Sequence, residues 1–221
     1  FLRDKTVATY QLDKDIETIP NFIDTEAYAP RESCQYKELF APKGEKVMVH
    51  TSNFRPVKRV PDVVRTFAKI REQIPAKLLL IGDGPDRSEC ETLCRELNIL
   101  EYVRFLGKQD ALVDILAASD LFILPSQSES FGLSALEAMS CGLPVISTSI
   151  GGIPEVNLHA ETGYIAEIGD IDRMARYSVE LFTNDAKYDA FSKAARRRAV
   201  EVYEKSKIVP LYEDFYQRLL D

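Results

Sequence analysis

The sequence predicts an α/β fold organised on one doubly wound parallel sheet, and three observations carry that expectation. From residue 46 onward, short apolar runs alternate with longer stretches of helical periodicity, and little chain is spent on connections. The run LFIL at 121–124 is closely bounded by Asp120 and Pro125 and reads as a buried strand. Residues 121–147 then form a strand, loop, helix, strand unit, the repeating element of such a sheet.

Taken in order, residues 2–12 read as a charged, weakly amphipathic helix and 16–19 as a short edge strand. The stretch 29–44, with Pro30, Pro42 and Gly44, reads as a linker carrying one helical turn. Strands are expected at 47–51, 78–81 and 103–106, with helices at 61–73, 85–97 and 111–118. After the strand at 121–124 comes a polar loop, 126–130. From Phe131 the apolar residues Phe131, Leu133, Leu136 and Met139 recur at helical spacing, until Gly142 and Pro144 end the pattern before a strand at 144–147. Helices at 171–183 and 186–203 cover the sheet, and residues 208–220 close the chain with apolar side chains on one face. In a sheet of parallel crossovers, all strand-to-helix loops gather at one edge, where ligands bind.

Two carboxylates mark the central unit, Glu129 in its loop and Glu137 in its helix. Eight residues of unbroken helix would set them about 80° apart, so with Glu129 held in the loop both can face one pocket above the strand ends. Solvated surface positions are the plain alternative. Ser126 with Glu129, and Ser134 with Glu137, also match the capping-box pattern, which offers either carboxylate a structural task. The N–H groups of Phe131, Gly132 and Leu133 at the helix start would favour a ligand's oxygens.

The wording ESFGLSALE, followed by AMSCGLPVIST and GGIPE, closely resembles the signature of the family-4 retaining glycosyltransferases. That resemblance implies the GT-B fold of two facing Rossmann-like domains, with this chain as its C-terminal, donor-binding half. It also implies roles: Glu129 touches the donor sugar, Glu137 accepts hydrogen bonds from the nucleotide ribose, and the N–H groups of Phe131, Gly132 and Leu133 surround the sugar and diphosphate. A carboxylate suits the ribose because its two oxygens accept from two neighbouring hydroxyls. No metal cofactor is implied. The stretch ETIPNFIDTE resembles the family's passage between domains. Residues 1–20 are therefore expected to be the remnant of a first domain and linker, 21–205 the nucleotide-sugar-binding domain, and 206–221 a helix crossing back toward the first domain.

After the first strand, HTSNFRPVKRV places Arg55, Lys58 and Arg59 at the ligand edge, where they could equally be a solvated loop. The family's loop carries an Arg and, five residues later, a Lys that hold the donor diphosphate. Lys58 matches the Lys; the Arg position is Asn53, with Arg55 two residues on, and either can take that role. Ser52 and Asn53 are counted with the donor site. The SNFRPVKR wording is similar to one branch of the family, which joins N-acetylglucosamine from UDP to L-malate. Gly82, Asp83, Gly84 and Pro85 follow a strand and open a helix, but Arg87 stands where a dinucleotide fingerprint needs its third glycine. Turn chemistry, with Pro85 at the first helical position, explains the motif, near the nucleotide by resemblance. By resemblance too, Gly107 and Lys108 bracket the uracil with their backbone. His50 is read as packing or lining the site, packing favoured, and His159 is given no role.

Composition narrows the classes. A net charge of −7 argues against a nucleic-acid partner, and 45% hydrophobic content over 221 residues suffices for one good core. No apolar run approaches the ~18 residues of a membrane span. The chain starts at Phe1 without a signal-peptide pattern, which suggests a piece of a longer cytoplasmic protein. Cys34, Cys90, Cys94 and Cys141 form no C-x-x-C pair, and with only His50 and His159 a zinc site is not expected. Cys90 and Cys94 share a helix face and read as reduced packing thiols. Three classes remain: the donor domain of a glycosyltransferase, a non-catalytic nucleotide-binding module, and an NAD-dependent Rossmann enzyme. Among glycosyltransferases, other donors and polysaccharide or glycolipid acceptors stay open. The E-x7-E pair and the Lys58 loop favour the first class; the broken glycine fingerprint weighs against the third. The isolated chain is expected to transfer no sugar, with residues 208–220 packing on the helix 2–12 or pairing with a second copy.

Overall fold

The computed structural model describes residues 1–31 and 35–220, so Cys34 lies outside the described residues. The first part of the chain runs α1 (Leu2–Tyr10), α2 (Gln35–Phe40), β1 (Lys46–Thr51), α3 (Val60–Arg71), β2 (Ala76–Ile81), α4 (Arg87–Glu96), β3 (Val103–Gly107) and α5 (Leu112–Ala117). It continues through β4 (Leu121–Leu124), α6 (Leu133–Ser140), β5 (Val145–Thr148), α7 (Ile153–Val156), β6 (Gly163–Ala166), α8 (Ile171–Thr183), α9 (Asp185–Val202) and α10 (Lys205–Leu220). All six strands pair in parallel in the order β3-β2-β1-β4-β5-β6. This is the Rossmann-like doubly wound sheet expected from the alternation, with its winding reversing between β1 and β4.

Alternate residues of each strand serve opposite faces. Met48, Leu78, Leu80, Leu121 and Ile123 pack under Val63, Phe67, Ile70, Met174 and Leu181 of α3 and α8. Val47, Val49, Leu79, Phe122 and Leu124 pack under Ile115, Leu136, Met139, Ala195 and Ala199 of α5, α6 and α9. Because both faces are covered, the strands are apolar almost throughout. Cys90, Cys94 and Cys141 are free and buried, and burial pushes their thiols up to about 12, 11 and 12, so they are inert packing groups.

Four expectations need correction. Residues 16–19 form no strand: Pro20 lacks an N–H, and the Ile19 and Pro20 carbonyls take the Tyr212 hydroxyl of α10 at 3.3 and 3.4 Å. Helix α4 begins at Arg87, because Asp86 N–H is drawn to Phe54 O at 3.0 Å and keeps Pro85 in a turn before the helix. Phe131 stands outside α6, edge-on to Tyr203 with ring centroids 5.5 Å apart, and Leu133 is 44% exposed. Finally, α10 packs on the 17–20 stretch, through Tyr212 and an Arg218–Glu17 ion pair of 2.7 Å. α1 instead buries no residue, and the Phe1 ammonium reaches Glu155 at 2.8 Å. The sequence reading missed β6 and α7.

Entry to and exit from the sheet are clasped together. Ile23 N–H donates to Tyr203 O and Lys205 N–H to Ile23 O, both at 2.9 Å, while Thr25 donates its N–H and hydroxyl to the Glu204 carboxylate.

The Gly82-Gly84 turn is close packing made into a motif. With φ of +114°, Gly82 lies so close to the loop after β1 that a Cβ would sit 1.8 Å from Ser52 O, and at Gly84 one would sit 2.5 Å from Asn53 O. Gly107 shares a positive φ, +65°, but nothing lies within 4 Å of its missing Cβ. Gly82→Ala should therefore cost about 3 kcal/mol or more, through backbone strain and collision, whereas Gly107→Ala should cost only about 1 kcal/mol. Urea unfolding of the two variants measures the contrast.

Candidate functional site

The reversal between β1 and β4 sends the loops after these strands apart and leaves a crevice at their carboxyl ends. Residues 52–59 leave β1 through a short 3-10 turn at Pro56–Lys58, and Arg59 follows with φ of +53°. Its guanidinium binds Asp62 at 2.5 Å, and Arg65 reaches the same carboxylate at 3.0 Å. Arg59 is thereby spent on starting α3. Residues 125–132 leave β4 and enter α6 through Gly132, whose φ of +96° suits glycine alone.

The two loops meet across the crevice. Gln127 N–H donates to Val57 O at 2.8 Å, and beside it the Lys58 ammonium donates to the Glu129 carboxylate at 2.6 Å. Both side chains are mostly shielded, at 21% and 14% exposure. The structure thus brings together two of the residues singled out from sequence. Ser126, fully buried, points its hydroxyl at the same carboxylate from 3.5 Å. The GGIPE stretch holds Glu129 from behind: Gly152 N–H donates to Glu129 O at 3.1 Å, and a Cβ on Gly151 would fall 1.7 Å from that oxygen.

Glu137, about one turn along α6, is half-buried. Burial raises its carboxyl above the ordinary value, and the Tyr28 hydroxyl works in the opposite direction. The proposed capping box with Ser134 is not formed, because Gly132 occupies the N-cap and caps with no side chain. The N–H groups of Phe131, Gly132 and Leu133 make no hydrogen bond among the described residues, which leaves three donors at the start of α6 for a ligand.

The remaining candidates divide. Arg55 and Asn53 are exposed on the β1 loop, and the Arg55 side chain has no partner among the described residues. Ser52 is committed: its N–H donates to Ile81 O at 3.1 Å. His50 Nδ1 lies 2.8 Å from Ile123 O, which only accepts; Nδ1 must carry the proton, so Nε2 accepts the Ser52 hydroxyl at 2.8 Å. Ser52 therefore has only lone pairs to offer a ligand. The Gly107 carbonyl is taken by Gly82 N–H at 2.8 Å, and Lys108 is exposed. His159 accepts from Ile165 N–H at 3.0 Å and supports the turn into β6. Among the described residues no three His, Cys, Asp or Glu side chains converge as a metal site, and no helix is long and apolar enough to cross a membrane.

Residues 35–198 match the family model described as glycosyl transferases group 1. The chain belongs to the group 1 glycosyl transferases. Relatives within the family include the N-acetyl-alpha-D-glucosaminyl L-malate synthase of Bacillus anthracis, 46% identical over 208 residues, which cover 94% of this chain and 55% of that protein. The D-inositol 3-phosphate glycosyltransferase of Mycolicibacterium smegmatis is 31% identical over 195 residues, covering 84% of this chain and 44% of the relative. Sucrose-phosphate synthase from Thermosynechococcus elongatus superposes with a TM-score of 0.87 at 25% identity, over 99% of this chain and 57% of the other. The chain thus spans about half the length of the relatives it matches.

Burial of His50 lowers its pKa to about 4, so the folded protein keeps it neutral where an unfolded histidine, near 6.5, takes up a proton. The stability that neutral His50 contributes is complete above pH 6.5 and drains away as pH falls toward 4, by roughly 3 kcal/mol. Thermal unfolding of a His50→Gln variant should show a shallower decline across that window than the parent chain.

Proposed function

We propose that this chain is the donor-binding half of a retaining glycosyltransferase that moves N-acetylglucosamine from UDP-N-acetylglucosamine to L-malate. The Lys58–Glu129 pair across the switch point is the observation that carries the reading. It sets an ammonium and a carboxylate 2.6 Å apart where a doubly wound sheet binds ligands, beside three unpartnered N–H groups. The choice of donor and acceptor is supported by the 46% identity to the Bacillus anthracis L-malate synthase.

In this reading the donor diphosphate lies against Lys58, Arg55 and the start of α6. Asn53 lines the same loop, and the backbone at Gly107 and Lys108 borders the base. The Glu137 carboxylate accepts from the two ribose hydroxyls, and Glu129, released from part of its pairing with Lys58, turns to the sugar. As the acceptor hydroxyl closes on the anomeric carbon, the bond to UDP breaks on the same sugar face, charge grows on the departing phosphate, and that phosphate oxygen takes the hydroxyl proton. Fixed positive groups at that oxygen lower the barrier, by roughly 3 kcal/mol for each well-placed donor. The residues present suffice for this without a metal. The acceptor completes the crevice from a facing domain, and the reaction belongs to the cytoplasm.

Calorimetric titration of the 221-residue chain tests the reading. UDP should bind and GDP and NAD should bind less well. Glu137→Ala should lose about tenfold or more in UDP affinity, because two hydrogen bonds to a charged acceptor disappear; unaltered affinity in a correctly folded variant would refute the ribose assignment. Lys58→Ala should weaken UDP by about tenfold and uridine hardly at all, and the difference should shrink in high salt. An equal loss for uridine would mean that Lys58 only supports its loop.

A further inference from the structure

Glu129 is fixed at its backbone and engaged at one end of its side chain. Its carbonyl accepts from Gly152 N–H at 3.1 Å, and a Cβ on Gly151 would fall 1.7 Å from that oxygen, so the loop has no room to carry the residue away. Its Oε2 takes the Lys58 ammonium at 2.6 Å, and the Ser126 hydroxyl lies 3.5 Å from the same atom. Its Oε1 makes no hydrogen bond among the described residues. With the carboxylate 14% and the ammonium 21% exposed, little water can enter to screen the two charges. An anion that reaches Lys58 must therefore compete with a carboxylate that already holds it and cannot withdraw far.

We propose that Glu129 is a specificity-determining residue that favours the sugar-bearing donor over the sugar-free product: by competing for Lys58 it disfavours a free nucleoside diphosphate and admits one capped by a sugar. This rests on the reading of Lys58 as the diphosphate ligand and adds a second task to Glu129. At neutral pH a free terminal phosphate carries a charge of about −1.5 to −2, whereas a sugar ester holds it near −1. On Lys58, the free diphosphate faces a shielded carboxylate, where like charges repel far more than in water. The capped diphosphate brings less charge, and its sugar hydroxyls donate to Oε1 and, as Lys58 turns to the phosphate, to Oε2. Once transfer has removed the sugar, those donors are gone and the extra charge returns to the phosphate. The carboxylate then reclaims Lys58, and UDP is loosened for release.

Calorimetric titration of the parent chain, Glu129→Gln and Lys58→Ala with UDP, UDP-N-acetylglucosamine and uridine tests this, with circular dichroism to show that each variant is folded. Glu129→Ala takes the place of Glu129→Gln if the amide disturbs the loop. Glu129→Gln should bind UDP about five- to tenfold more tightly than the parent does, since the amide neither holds Lys58 by charge nor repels the phosphate. UDP-N-acetylglucosamine should gain no more than about twofold, because relief of repulsion is offset by a weaker acceptor for the sugar hydroxyls. Uridine should bind unchanged, and the gain for UDP should shrink in high salt. UDP affinity at or below the parent's in folded Glu129→Gln, while Lys58→Ala still loses UDP, overturns the proposal and leaves the diphosphate reading standing. So does an equal gain for UDP and UDP-N-acetylglucosamine, which would make Glu129 a charge without discrimination. Parent-like UDP binding by Lys58→Ala overturns the diphosphate reading and the proposal with it.

Discussion

Between β1 and β4 the winding of the sheet reverses, the two strand ends release their loops in opposite directions, and no crossover covers the gap. A gap at the end of a sheet exposes backbone polar groups and invites the loops to splay. Here it is held in shape by one backbone hydrogen bond, Gln127 to Val57, and one shielded ion pair, Lys58 to Glu129. Removing either ionic partner would strand the other in a site where water is scarce, which is why such pairs resist substitution even when they add little net stability. The glycines around the crevice serve the same constraint. Gly82 and Gly84 let one loop lie against the β1 side, and Gly151 and Gly152 let another lie against Glu129 and Ser130.

This arrangement also explains how the charges are divided. Of the three cations after β1, Arg59 is tied to Asp62 and Lys58 to Glu129, and Arg55 alone stays without a partner among the described residues. His50 stays neutral beneath them: burial lowers its pKa, and the nearby Lys58 charge adds to the effect. A neutral ring is what permits it to receive the Ser52 hydroxyl and donate to β4, stitching the two strands at their ligand end.

Much of this was legible in the sequence. Buried parallel strands announce themselves as short apolar runs, so β1 to β5 and the helices between them could be placed to within a few residues. β6 could not. It is four residues long and starts with Gly163, whose missing Cβ would fall 1.9 Å from the Val145 carbonyl, so its register follows from contact with β5 and has no pattern of its own. Residues 16–19 carry two isoleucines but form no strand, because Pro20 beside them has no N–H for a ladder. Glu129, Glu137 and Lys58 were found through motif wording, but the pairing of Lys58 with Glu129 spans 71 positions and depends on which strands become neighbours.

The clasp joining Ile23 to Tyr203 and Lys205 has a mechanical consequence. The incoming and outgoing segments meet there in a parallel bridge, Ile23 beside Glu204, with Thr25 and Glu204 reinforcing the junction. Because the two segments run parallel there, opposite pulls on them load the few hydrogen bonds of the junction together, in shear. A cut in an exposed loop, with the original ends joined, would leave the strand order intact.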